Sequence, residues 1–481
     1  MSTNTVDSQQ ILCHDPVDVC SLALSASKMR AAILHDDEQF SKASEHHLIE
    51  LTRFDSTATV APATQAFKNE LQLSRYLRSR TSNILHQSTS VEIYSLHQQD
   101  TWAPVNASPD MIVQLMEHYS LSVGFLHILS CFRDRYLSTE EGFTGSVRTV
   151  QTADRVEFGW IYKYAEQKQV KSVSTWRIRH TGIYHVHNHK TAQSTIFVFN
   201  PSPSALFRCD LHEALQQAAV RSAVLANPML VHPMLISTHL HSWKGYFEYH
   251  ETLLLKLDMK SACTSFEEPS VSFDTLKEVR TVERCLLPLD PLLTSFMDVT
   301  PDLHKLCNVF RDANGKNNES IATVHSAISN FRKEAQSYKT QVLYLHSRCQ
   351  STVQSVVDSL NLGYQQLAQS QSQNTLVMVR SAREDSVAIR AITFVTSFYL
   401  PFSFVATIFG MNLVDFDSDS HNLLVSKQFW MYFVISIPLT IATLVCWRWT
   451  MQAYRQDYLT DDIKKRKDTK TMDATSDMEM V

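Results

Sequence analysis

The stretch Ala391–Leu413, AITFVTSFYLPFSFVATIFGMNL, contains 23 residues and no charged side chain. A second uncharged stretch, Phe429–Trp447, follows after a short link. Each stretch is long enough to cross the roughly 30 Å hydrocarbon core of a bilayer as a helix. The sequence therefore predicts two transmembrane helices, at 391–413 and 429–449.

The charges around the two stretches predict their orientation. Three arginines precede the first stretch: Arg380, Arg383 and Arg390. The second stretch is followed by Arg448 and by a basic tail, 450–481, that contains Arg455 and Lys464-Lys465-Arg466-Lys467. The link, 414–428, carries one lysine and three aspartates. By the positive-inside rule both termini face the cytosol and the link is external. A buried core hairpin is the alternative, and the charged flanks argue against it.

A long amphipathic helix is predicted ahead of the first span. Its apolar positions recur every three or four residues: Ile328, Phe331, Ala335, Tyr338, Val342, Leu345, Cys349, Val353, Val356, Leu360 and Leu367. No proline interrupts the segment 316–390, so a stalk approaching about 100 Å is expected. Gly363 is the weakest point because glycine costs about 1 kcal/mol in a helix interior. Gly363 has two possible interpretations: it permits close approach of another helix, or the helix breaks there.

The preceding residues predict a cytoplasmic α/β domain over 61–315, after a polar tail over 1–60. Strands are predicted at 156–164, 181–186 and 194–199, and helices at 210–227 and 239–257. The fold class is thus a mostly helical membrane protein with an N-terminal α/β domain.

Composition narrows the range of functions. The net charge of −5 gives no basic surface for nucleic acid. The nine cysteines stand singly, without a Cys-x-x-Cys pair, and predict reduced, mostly buried thiols. No phosphate loop, nucleophile elbow or zinc-protease motif indicates an enzyme, and no cofactor is expected. The first 27 residues lack Lys and Arg, so we expect no signal peptide, and the plasma membrane ahead of the vacuolar membrane.

One face of the first span is polar. Steps of three or four residues from Ser386 give a stripe in which hydroxyl groups alternate with bulky apolar side chains: Ser386, Ile389, Ile392, Thr396, Leu400, Ser403 and Thr407. Polar groups within a span usually face protein or water. Around an axis of several copies this stripe would line a pore, with apolar constrictions that close by dewetting. Ordinary helix packing through small residues is the other explanation.

The first span ends at Phe409-Gly410-Met411-Asn412. Here the chain resembles the CorA-like family of magnesium and divalent-cation transporters, whose hallmark is Gly-Met-Asn at the end of the first of two terminal helices. Asp385-Ser386, Ile392-Thr393 and Leu400-Pro401 also stand in the register of fungal-type members of this metal ion transporter superfamily. The resemblance covers about residues 320–460.

The resemblance implies a funnel-shaped homopentamer in the bilayer with the first spans around the pore. Asn412 would receive hydrated Mg²⁺ at the mouth that Gly410 and Met411 help to shape. The seven residues of the stripe would line the path below. The family often carries methionine at two of these positions and asparagine at the cytosolic end, where this chain has Ile389, Leu400 and Ser386. Asp415, Asp417 and Asp419 of the link would concentrate cations electrostatically.

The expected function is therefore passive, gated influx of Mg²⁺, with Co²⁺ or Ni²⁺ as further ions. The alternatives are a transporter of zinc or another divalent cation with the same architecture, and a non-conducting membrane-anchored scaffold or sensor. Two histidine patterns are discounted as metal sites. His185-x-His187-x-His189 is expected at an exposed strand end, and His239-x-His241 as a helix cap or surface pair.

Overall fold

A computed structural model gives the fold of the chain, which divides into two compact units, Met1–Gly363 and Tyr364–Val481. The structure describes residues 26–56, 62, 64–81, 89–135, 147–170, 173–262, 271–310, 318–409, 414–416, 423–425, 427, 429–449 and 452. Within the first unit, helix α1 covers residues 26–34.

A seven-stranded sheet is the centre of the first unit. In chain order its strands are β1 (Ile49–Asp55), β2 (Thr64–Phe67), β3 (Ser90–His97), β4 (Arg148–Gln151), β5 (Arg155–Val170), β6 (Val173–Asn188) and β7 (Gln193–Asn200). Their order across the sheet is β2-β1-β3-β7-β6-β5-β4. Only β3 and β7 pair in parallel, and the other pairs are antiparallel.

The sheet is buried on both faces, as β7 illustrates. Successive side chains of a strand point to opposite faces. Ile196 and Val198 enter one apolar core, whereas Phe197 and Phe199 enter the other. A strand buried on both sides reads as a continuous apolar run, which is why Ile196–Phe199 has no alternating pattern.

Three helices cover one face: α2 (Glu70–Thr81), α3 (Pro109–His118) and α4 (Val123–Leu129). Helix α3 begins after Ser108, whose hydroxyl accepts a hydrogen bond from the Met111 amide at 3.2 Å, with Pro109 in the first turn. Serine followed by proline strongly favours a helix start. The serine hydroxyl accepts a hydrogen bond from an otherwise unpaired backbone N–H group of the first turn, and proline has no backbone N–H group to leave unpaired.

A larger helical layer covers the other face. It consists of α5 (Leu206–Gln216), α6 (Ala218–Ala226), α7 (Val231–Leu240), α8 (Ser242–Ala262), α9 (Phe273–Leu286), α10 (Leu289–Val309) and the first part of α11 (Asn318–Phe409). The segment Ala218–Ala226 with Pro228–Ala262 is also apolar enough to suggest a bent span. Its side chains, including Val224, Leu235 and Phe247, are buried in the domain core.

The N-terminal α/β domain and the long helix agree with the fold expected from sequence. Helix α11 runs through Gly363 without a break, and apart from its chain neighbours and the helix's own backbone, no heavy atom of the described residues lies within 4 Å of a Cβ built there. The apolar rhythm of α11 from Ile328 to Leu360 packs into or against the domain core. Leu367, the last residue of the rhythm, is exposed.

Two expectations differ from the structure. The sheet begins at Ile49, inside the segment expected to be a polar tail, because Ile49, Leu51 and Phe54 are buried. The helix expected over 210–227 is two helices, since Gln217 adopts an extended conformation (φ −81°, ψ 125°) between α5 and α6.

Candidate pore-lining site

The second unit contains the apolar end of α11 and a further helix, α12 (Phe429–Trp449). The part of the chain that the structure describes contains two helices long and apolar enough to cross a membrane, Glu319–Ile408 and Phe429–Trp449, judged by length and composition. Between them, β8 (Val414–Phe416) pairs antiparallel with β9 (Leu423–Val425), and Asp415 lies opposite Leu424. The link therefore folds back on itself as a small hairpin.

One face of α11 packs against α12. The Tyr432 hydroxyl donates a hydrogen bond to the Phe402 carbonyl at 3.1 Å, and the two rings lie 6.4 Å apart. Near the other end, the rings of Phe394 and Trp447 lie 6.3 Å apart. Val405 of α11 is buried on this face, at 2% exposure. We call this side of α11 the packed face.

The predicted stripe lies on the side opposite the packed face. At about 100° per residue, Thr396 and Ser403 lie roughly 160–180° around the helix from Val405. All seven residues of the stripe are exposed in the single chain. Exposure alone does not distinguish this side, because Val395 and Phe404 on the flanks are also exposed. What distinguishes it is the number of hydroxyl groups, four in the stripe, whereas Thr393 and Ser397 are the two on a flank that also carries Phe404.

The threonines of the stripe turn their hydroxyl protons to the backbone. Thr396 Oγ1 donates to the Ile392 carbonyl at 2.5 Å, and Thr407 Oγ1 donates to the Phe404 carbonyl at 2.7 Å. A threonine in a helix commonly bonds back to a carbonyl of the preceding turn in this way. The oxygen lone pairs remain available to accept hydrogen bonds from water, including the water held by a cation.

The other predicted residues are less fully described. Gly410, Met411, Asn412, Asp417 and Asp419 lie outside the described residues, as does the basic run at 464–467. For Asp415 the structure gives only the place of its backbone in β8. The stripe and the packed face are thus the parts of the predicted site that can be located.

The expectation of an exposed strand end at His185-x-His187-x-His189 is wrong for His185 and His187, whereas His189, directly after β6, is half-buried. His185 is fully buried, and its Nδ1 lies 3.1 Å from Nε2 of His232, whose Nδ1 accepts a hydrogen bond from the Trp160 indole at 2.9 Å. Burial lowers the pKa of His232 to about 3, so this side chain is neutral. His187 bonds to the Ser194 hydroxyl at 2.8 Å. These imidazoles are core side chains.

The expectation of a surface pair at His239 and His241 is also wrong for His239. It is 1% exposed and stacks on Tyr164 with ring centroids 3.5 Å apart. Among the described residues no group of three or more His, Cys, Asp or Glu side chains is arranged to hold a metal ion. The thiols are only partly as expected, because Cys307 and Cys349 are buried but Cys209 and Cys446 are exposed.

Comparison with known proteins gives limited matches. No protein-family model matches the chain. A curated protein from Aspergillus versicolor, "Notoamide biosynthesis cluster protein M'", is 34% identical over 110 residues. The match covers 23% of this chain and 22% of that relative, so the chain matches about a fifth of the relative's length.

Two solved structures are similar over a larger share. The full-length CmaX protein matches 85% of this chain and 99% of its own, with 10% identity and a TM-score of 0.35. The cytoplasmic domain of ZntB from Vibrio parahaemolyticus RIMD 2210633 matches 65% of this chain and 98% of its own, with 10% identity and a TM-score of 0.34. Function has to be inferred from the residues of this chain.

Proposed function

We propose that the chain is one subunit of an oligomeric membrane channel that conducts Mg²⁺ passively, with Co²⁺ and Ni²⁺ as further ions. The observation that carries the proposal is the position of the hydroxyl-bearing stripe of α11, on the side of the helix opposite the packed face. The sequence Gly410-Met411-Asn412 that follows α11 supports it independently.

The physical reason lies in the surroundings available to α11. One side contacts α12, and the mostly apolar flanks suit lipid. Hydroxyl groups in a span are stable where they face protein or water, so the third side suits an axis shared by several copies. Ile389, Ile392 and Leu400 would then form the constrictions that close the path by dewetting.

The residues suit a cation that keeps its hydration water. Mg²⁺ dehydrates reluctantly and prefers octahedral oxygen geometry. Hydroxyl oxygens and the amide of Asn412 accept hydrogen bonds from bound water without the strong attraction of a carboxylate cage. The membrane potential drives a divalent ion inward with about 4.6 kcal/mol per 100 mV. Such a path needs no other energy source.

The first test is ion flux into liposomes that contain the purified chain. We expect Mg²⁺ uptake that is driven by an inside-negative potential and strongly reduced by Asn412→Ala. Asn422→Ala in the same link is the matched control and should conduct normally. Uptake of Zn²⁺ but not Mg²⁺ would favour a zinc transporter. No flux of either ion from a correctly assembled particle would favour the scaffold or sensor.

A second test locates the water-filled side of α11. In a Cys209→Ser, Cys446→Ser background, we expect Thr396→Cys and Ser403→Cys to react with a charged methanethiosulfonate reagent and to lose flux. Val395→Cys and Phe404→Cys, which lie at the same depth on the flanks, should not react, because a thiol in lipid does not ionise. Equal reactivity at all four positions would contradict a pore on this side.

A further inference from the structure

A pair of histidines connects α10 with the first turns of α11. His304 of α10 and His325 of α11 lie edge to edge, with ring centroids 4.7 Å apart and planes 13° apart. Their Nδ1 atoms face each other within hydrogen-bonding distance. Both side chains are partly exposed, so solvent ions can reach them. The pair belongs to the first compact unit, whereas the residues of the candidate pore-lining site belong to the second.

The outer nitrogens of the two rings have oxygen partners. His325 Nε2 lies 3.4 Å from Asn308 Oδ1, and His304 Nε2 lies 3.3 Å from the Ser329 hydroxyl. An amide oxygen only accepts, so this contact is a hydrogen bond when the proton of His325 is on Nε2, which leaves a lone pair on Nδ1. The Ser329 hydroxyl can donate or accept. When it accepts from His304, both Nδ1 atoms carry lone pairs on the ring edges that face each other.

The positive charge of Arg332 acts on His304. This charge opposes a bound cation, so the ligation has to come from the two nitrogens rather than from general electrostatic attraction.

We propose that His304 and His325 chelate one transition-metal dication of the Zn²⁺ or Ni²⁺ class through their Nδ1 atoms. Water would complete the coordination, because no third His, Cys, Asp or Glu of the described residues joins the pair. Ring nitrogens with their other N–H held by an oxygen are typical of metal ligands. Zn–N bonds of about 2.0–2.1 Å need the two nitrogens about 3.3 Å apart, so on binding the rings would move apart and rotate to aim both Nδ1 atoms at the ion.

The choice of metal follows from the ligand atoms. Imidazole nitrogen suits Zn²⁺, Ni²⁺ and Cu²⁺, whereas Mg²⁺ takes oxygen ligands. This site therefore differs in selectivity from the proposed Mg²⁺ path and does not depend on it. A bound ion would join α10 to the start of α11 and so stabilise that contact.

The test is the number of Zn²⁺ equivalents bound by the full chain in detergent, purified without a histidine tag and titrated against a chromophoric chelator. We expect His304→Gln and His325→Gln each to lose one equivalent, and the double variant to lose the same single equivalent. Asn308→Ala should lower the affinity for that Zn²⁺ ion about 10- to 100-fold, because it removes the hydrogen-bond partner of a ligand's outer nitrogen. His346→Gln, elsewhere on α11, is the matched control.

The outcomes separate the possibilities. Unchanged stoichiometry in either single variant, or a loss of two equivalents in the double variant, would overturn the proposal. Losses of bound Zn²⁺ add when two histidines bind independently, whereas two histidines that chelate one ion lose a single equivalent together. Thermal unfolding without metal shows whether each variant is folded. In folded protein, Zn²⁺ should raise the unfolding temperature of the wild type and of His346→Gln, but less that of the two ligand variants. Millimolar Mg²⁺ should not displace the ion.

Discussion

At the scale of single residues, the domain core holds imidazoles where apolar side chains are usual. His239 lies face to face with Tyr164, and its Nε2 finds no hydrogen-bond partner among the described residues. Burial lowers the pKa of His239 to about 3. The folded domain therefore keeps His239 neutral at a pH where the unfolded chain protonates it.

The pH dependence of stability follows from this difference. Between about pH 6.5 and 3 the unfolded state binds the proton and the folded state does not, so stability falls as pH falls through this range. We expect His239 alone to account for about 2 kcal/mol of lost stability between pH 7 and pH 5.

Replacing His239 with phenylalanine tests this prediction. His239→Phe keeps the stack on Tyr164 and removes the titrating group, so the domain should lose about 2 kcal/mol less on acidification. Urea unfolding of the full chain in detergent at pH 7 and pH 5, followed by near-UV circular dichroism, measures the difference. The same substitution at the half-buried His346 is the control, and equal acid sensitivity of His239→Phe and the wild type would contradict the prediction.

At the scale of elements, two glycines in neighbouring strands determine how closely α4 approaches the sheet. A Cβ built at Gly182 of β6 would lie 2.7 Å from Cγ2 of Ile128 in α4, and one at Gly159 of β5 would lie 2.6 Å from Cδ2 of Tyr184. Neither distance is tolerated by real side chains. The absence of side chains at these positions therefore permits the observed packing.

Alanine at Gly182 should therefore destabilise the domain by roughly 1–3 kcal/mol through overpacking. The matched control is Gly363→Ala in α11, which meets no atom within 4 Å and should stabilise its helix by about 1 kcal/mol. Chemical denaturation of both variants provides the measurement. Because the clash is with Ile128, the cost of Gly182→Ala should shrink in an Ile128→Ala background; additive costs would argue against this packing.

The elements also show what the sequence could predict. Strands β5 to β7 have aromatic and β-branched runs, and α11 has a repeating apolar face, so local patterns were sufficient. The sequence does not predict strand β1, because Glu50 and Arg53 are typical of surface residues. Their charges are paired by residues distant in sequence: Arg208 lies 2.7 Å from Glu50 and Glu92 lies 3.4 Å from Arg53. The buried histidines were missed for the same reason, since Trp160 and His232 come from other elements.

Some features of the candidate site could likewise be predicted from the sequence, and others depend on tertiary contacts. Helical periodicity alone grouped Thr396, Leu400 and Ser403 on one side of α11. The packed face depends on contacts of α11 with α12, such as Tyr432 with Phe402, which no local pattern reveals. The pairing of His304 with His325 is likewise a tertiary contact.

At the scale of the whole molecule, the described residues of one chain leave the polar stripe of α11 exposed. We predict that the detergent-purified protein is a pentamer, because several first spans are needed to enclose a water-filled path. Light scattering corrected for bound detergent, or native mass spectrometry, measures the subunit number. A monomer or dimer could not enclose the path and would exclude conduction along the stripe. Thr440→Val, at a buried position of α12, should leave the subunit number unchanged.

The parallel pairing of β3 with β7 has a consequence for the synthesis of the chain. Strand β3 ends at His97, but its neighbour begins only at Gln193, so the early strands emerge from the ribosome with an open edge. Such late-closing sheets form slowly and expose aggregation-prone edges. The sheet is complete by Asn200, well before Ala391 is translated. A nascent chain therefore exposes an unpaired strand edge first and uncovered apolar helices last. The two aggregation risks arise at different times and call for different chaperones.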